Sequence, residues 1–66
     1  MTFHKWLSTR GYFPIGVIIE NYRSSGYANE DIEKSVEDIK NSYKYWCNEN
    51  RVEPIFDNTH YEYTPN

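Results

Sequence analysis

Apolar positions along this chain recur in three stretches, and each stretch carries helical spacing and a stop signal. The longest is the clearest. Ile32, Val36, Ile39, Tyr43 and Trp46 follow one another at intervals of 4, 3, 4 and 3, which places them on one face of a helix. Glu33, Lys34, Glu37, Asp38, Lys40, Asn41 and Lys44 occupy the opposite face. Asn29 is the expected N-cap, and Glu30, Asp31 and Glu33 sit in the first turn, where the helix dipole favours negative charge. Glu30 and Lys34 are spaced for an i, i+4 ion pair worth about 0.2–0.5 kcal/mol. Tyr43, Trp46 and Cys47 lie on or beside the apolar stripe and are expected to close one end of the core, whereas Tyr45 points elsewhere, to the surface.

The first stretch is shorter. Thr2 is a good N-cap, Phe3, Trp6 and Leu7 share a face, and Gly11 offers the left-handed conformation that ends helices. The second allows two readings. Ile15, Ile18, Ile19 and Tyr22 fit a helix with Pro14 at its first position and Gly26 as its stop. Ile15, Val17 and Ile19 also alternate as a strand would. The helix is preferred because a strand would have to run on through the polar residues 20–25. After Asn50 the helical period is gone. Val52, Ile55 and Phe56 are available to pack back on the helices, Asp57 and Asn58 read as a turn, and Thr59, Tyr61 and Tyr63 then alternate with His60 and Glu62. The pattern predicts a mainly α fold, a small three-helix bundle with an extended C-terminal arm or short hairpin. Its helices span approximately 2–10, 14–25 and 29–48, and the tail covers 51–66, within a single small domain.

At Phe3, Trp6 and Leu7, followed by Pro14, Ile15 and Gly16, the chain resembles the YozE-like family of small bacterial helical domains with a SAM-like bundle. Those members open on an aromatic–aromatic/leucine helix and carry a Pro-Ile-Gly turn at the second helix. The helix bearing Ile32, Val36 and Ile39 would match the family's later helix. The family's aromatic-Pro-Lys element is missing between residues 23 and 31, and the tyrosine-rich tail has no counterpart. The resemblance implies a helical bundle and no activity.

Composition narrows the chemistry. A chain of 66 residues buries only about 60% of the surface it exposes when unfolded, so it has little interior from which to build a catalytic pocket. One cysteine, Cys47, forms no intramolecular disulfide, and with His4 and His60 it makes at most three strong metal ligands without a close-spaced pair. No metal or cofactor is expected. Cys47 with either histidine could be drawn as a nucleophile and base, but beside an apolar stripe a cysteine behaves as a small buried hydrophobe. The carboxylates of residues 30–38 occupy a solvated face, where nothing shifts their pKa towards catalysis. Gly11, Gly16 and Gly26 are too scattered for a phosphate loop. A non-enzymatic protein is therefore expected. The absence of an apolar run of signal-peptide or membrane-span length points to a cytoplasmic location.

Ten acids against seven bases give a net charge of −3, which disfavours a polyanionic partner. Lys5, Arg10, Arg23, Lys40, Lys44 and Arg51 could converge on one side, so a helical nucleic-acid-associated regulatory protein is the alternative. Aromatic residues make up 18% of the chain and seven of them are tyrosines, a residue type enriched at interfaces. The favoured reading is a protein-binding module that docks on the basic surface of another protein. Glu30, Asp31, Glu33, Glu37 and Asp38 would steer association, and Tyr12, Tyr27, Tyr45, Tyr61 and Tyr63 would act as exposed anchors. Size, charge and aromatic content resemble those of small accessory proteins with which phages inhibit host enzymes or defence systems. A homodimer whose interface consumes the aromatics is the third reading.

Overall fold

The computed structural model describes residues 1–57. Among these residues the chain forms three helices and no strand: α1 (Phe3–Thr9), α2 (Ile15–Ser24) and α3 (Asn29–Glu49). The ambiguous second stretch is helical. The expected alternation of Tyr61 and Tyr63 in a hairpin lies outside the described residues; residues 52–57 carry no regular secondary structure. No helix among the described residues is long and apolar enough to cross a membrane.

The helix starts differ in kind. At α1 the side chain of Thr2 caps as expected, accepting the Lys5 N–H at 3.2 Å. At α2 Pro14 is the cap and not the first helical residue; its ring holds φ at −53°, and it contributes no side-chain bond. At α3 the cap is Ala28 and not Asn29. The Ala28 carbonyl already accepts the N–H groups of Asp31 and Ile32, so Asn29 is drawn into the helix and its side chain loses the capping position. The start of α3 therefore lacks a side-chain acceptor, and Ala28→Asp is expected to stabilise the protein by about 0.5–2 kcal/mol. Thermal unfolding would report this as a Tm rise of several degrees; an unchanged Tm would contradict an open cap. The Glu30–Lys34 pair is also not formed: among the described residues the ion pairs are His4–Asp57 and the exposed Arg23–Glu20.

The core joins the apolar face of α1 to α3. Phe3, Trp6, Leu7, Ile15, Tyr43 and Cys47 are buried together, with Ile18, Ile19, Val36, Ile39 and Trp46 partly buried against them. Trp46 thus borders the core and does not fill it. Tyr43 is fully buried; its ring tilts against Phe3 and Trp6, stacks on Trp46 and meets Phe56 edge-on. Its hydroxyl donates to the Met1 carbonyl at 2.6 Å and accepts the Ile55 N–H at 2.9 Å. The Ile55 carbonyl in turn accepts the Phe3 N–H at 2.8 Å. The segment after α3 is therefore bound back across the start of α1, although Ile55 and Phe56 themselves stay half exposed.

Candidate functional site

How the helices end decides where the tyrosines go. After α1, the Gly11 N–H donates to Ser8 and the Tyr12 N–H to Leu7; after α2, the Gly26 N–H donates to Arg23 and the Tyr27 N–H to Tyr22. Both are Schellman closures, with glycine at φ +79° and +87° supplying the left-handed turn. The third helix ends in the same way, with Arg51 at φ 55° in the glycine position and the Val52 N–H on Cys47. Such a closure turns the residue after the glycine back onto the residue five positions earlier. At α2 that contact is Tyr27 on Tyr22, with ring centroids 4.8 Å apart. At α1 it turns Tyr12 back beside the helix, where it stacks on Trp6 at 6.4 Å.

The two closures meet at one place. Tyr12, Tyr22 and Tyr27 rim a groove of about 320 Å³, with Ile18 and Ile39 among its apolar lining and Asn21 and Ser25 at its edge. Tyr12 and Tyr27 remain 47% and 50% exposed. Of the expected anchors, the structure brings these two together and adds Tyr22, which shares the helical stripe of Ile15, Ile18 and Ile19. Tyr45 is on the outer face of α3 with its hydroxyl on Glu49 at 3.0 Å, away from the groove. Tyr61 and Tyr63 lie outside the described residues.

The acids are exposed but do not form one field. Glu33 and Glu37 wall a second hollow between α2 and α3, facing Arg23 and Lys40 over Ile19, Ile32 and Val36. Glu30 belongs to the outer face by helical spacing. Asp31 and Asp38 are two turns apart and share a flank of α3 by helical spacing, outside the hollow that Glu33 and Glu37 wall. None of the five makes an ion pair among the described residues. The bases are more committed: Arg10 lies 5.3 Å from the Trp6 ring centroid, Lys44 and Lys40 lie 5.7 and 6.0 Å from that of Phe56, and Arg23 pairs with Glu20.

A second cluster was not anticipated. His4 is only 6% exposed. The Asp57 carboxylate accepts both the backbone N–H and the Nδ1–H of His4 at 3.0 Å, and the Ile15 N–H reaches Nε2 at 3.5 Å. These bonds assign the ring proton to Nδ1. Burial pushes the Asp57 carboxyl up, but the two His4 donors and the attraction of the ring outweigh it and hold the group below its ordinary value of 3.8. His4 lines a hollow with Thr2, Lys5, Ser8, Tyr12 and Pro14, so serine, histidine and aspartate stand near one another. Yet Nε2, the nitrogen that would take a nucleophile's proton, is turned to the Ile15 N–H. The cluster ties α1, the start of α2 and the C-terminal segment together. Cys47 is fully buried, and the Tyr43 ring beside it excludes solvent.

Fold and groove define a small three-helix domain with an aromatic hollow on its surface. No family model, curated protein or solved structure matches the chain.

Proposed function

We propose that this protein is a non-enzymatic binding module whose partner is another protein with a basic surface. The observation that carries this reading is the groove rimmed by Tyr12, Tyr22 and Tyr27. Large amphipathic rings around an apolar floor are the chemistry of interface hot spots, and here two half-exposed rings are held by helix closures. The unpaired acids of α3 support a basic partner, because complementary charge accelerates association. If that surface normally holds nucleic acid, the module is an inhibitor that competes for it, in the manner of small phage proteins, and acts in the cytoplasm of the host. Direct nucleic-acid binding ranks second, because Arg10, Arg23, Lys40 and Lys44 are engaged within the chain.

The test is affinity capture from lysate with and without nuclease, repeated with Tyr27→Ala. A stoichiometric protein partner should survive nuclease and be lost with Tyr27→Ala, which leaves the helices intact because Tyr27 lies in a loop. Partners released by nuclease would put the nucleic-acid reading first. With the partner in hand, reversing charge at Glu33, Glu37 and Asp38 together should slow association about tenfold or more at low salt and flatten its salt dependence; unchanged kinetics would remove steering from the account. A sedimentation mass near twice 8.0 kDa for the isolated protein would favour self-association.

A further inference from the structure

We propose that the tyrosine-rimmed groove receives an arginine side chain of the partner. This rests on the protein-binding reading and specifies what enters the groove. Two aromatic side chains outside the groove already carry cations from this chain, Arg10 over Trp6 and Lys40 with Lys44 over Phe56. Among the described residues Tyr12, Tyr22 and Tyr27 carry none, and their hydroxyls make no hydrogen bond. The groove is thus lined by three tyrosines, a residue type whose ring faces carry a negative quadrupole, by the aliphatic Ile18 and Ile39, and by neutral polar groups at Asn21 and Ser25.

A side chain that fills it must satisfy all three. Arginine lays its methylene stem on the aliphatic floor, stacks a planar guanidinium on the rings and directs several N–H donors at the rim. A carboxylate would meet the negative ring faces. A lysine ammonium is more strongly hydrated and cannot stack. Charge complementarity points the same way: the chain carries a net charge of −3, and Asp31 and Asp38 on α3 are exposed without an ion pair among the described residues, so a cationic side chain approaches a net negative domain. The volume of about 320 Å³ is near the low end for ligand hollows, roughly 300–1,000 Å³, which suits one long side chain and not a docked helix.

The probe is a capped Gly-Arg-Gly peptide titrated into the full chain and followed by NMR, beside the same peptide with citrulline, which keeps the shape and loses the charge. The expected result is saturable shifts at the rings of Tyr12, Tyr22 and Tyr27 and at the Asn21 side-chain amide. The citrulline peptide should bind at least about fivefold more weakly. The Tyr27→Ala protein, shown folded by circular dichroism, should lose the response, and Asp31→Asn with Asp38→Asn should weaken it and reduce its salt sensitivity. Absence of shifts at the groove, an equal response to citrulline, or shifts confined to the Glu30–Glu37 face would overturn the assignment. The two levels separate once a partner is known. A partner that needs Tyr27 but tolerates glutamine at each of its arginines refutes the arginine and spares the module. A partner indifferent to Tyr27→Ala refutes the groove as the docking site.

Discussion

Tyr43→Ala is expected to lower the melting temperature by tens of degrees or to leave the chain unfolded at room temperature, read by far-UV circular dichroism. Removing a large buried aromatic costs about 3–5 kcal/mol in transfer and cavity terms. A protein of this length has a total stability of only roughly 3–10 kcal/mol. Tyr43 also links three parts of the molecule: its ring touches α1, α3 and Phe56, and its hydroxyl joins Met1 to Ile55. Tyr43→Phe separates the two contributions. It keeps the ring and strips the hydroxyl from the Ile55 N–H, at about 1–3 kcal/mol, so the helices should persist with a lower Tm. A Tm change under about 10 °C for Tyr43→Ala would show that the core does not depend on this ring.

The same residue predicts the alkaline limit. Burial raises the Tyr43 phenol above its ordinary 10.0; the Ile55 backbone bond acts in the other direction, and the Cys47 side chain and the Asp57 charge add to the rise. The native state therefore holds this proton more tightly than the unfolded chain does. That stabilisation is fully present below pH 10 and is lost as pH rises from there through the native value. Tyr43→Phe should remove that part of the alkaline decline, and an identical decline in both proteins would refute the assignment.

Asp57→Ala is expected to release the C-terminal segment from α1 at a cost of about 1–3 kcal/mol, because it deletes the acceptor of two buried donors of His4. Native-state hydrogen exchange locates the effect. The amides of Phe3 and His4, bonded to Ile55 and Asp57, should exchange faster relative to the core of α3. Uniform acceleration throughout the chain would mean that the segment and the bundle unfold together. The Asp57 pKa lies below 3.8 in the native state, so its contribution is present above that pH and is lost as pH falls through the native value. Wild type should lose this increment in acid, and Asp57→Ala should not.

Much of the fold was legible because helices are local. The spacing of Ile32 to Trp46, the cap at Thr2 and the glycines at 11 and 26 each act within a turn or two. The misplaced details are local as well, and each is a competition between neighbours. Asn29 lost the cap because the Ala28 carbonyl took the first helical bond. Arg51 closes α3 without a glycine, so no stop signal announced it. The groove was half legible. The sequence places Tyr12 and Tyr27 at the surface, where both are half exposed, and the five-residue spacing from Tyr22 to Tyr27 across Gly26 is the signal for the third ring, since that is the contact a Schellman closure makes.

His4 and Asp57 carried no such signal. They stand 53 positions apart, and nothing in either neighbourhood distinguishes a buried, bonded histidine from an exposed one. By itself the sequence determined the three helices, their apolar faces and the turns that project Tyr12 and Tyr27, because hydrogen bonds and steric preferences within a few residues dictate them. Only the tertiary structure decided that two helix ends meet around one groove, that Glu33 and Glu37 face away from it, and that Tyr43 and His4 hold the C-terminal segment across α1. Those outcomes depend on how the helices pack, and packing brings together residues that no local rule relates.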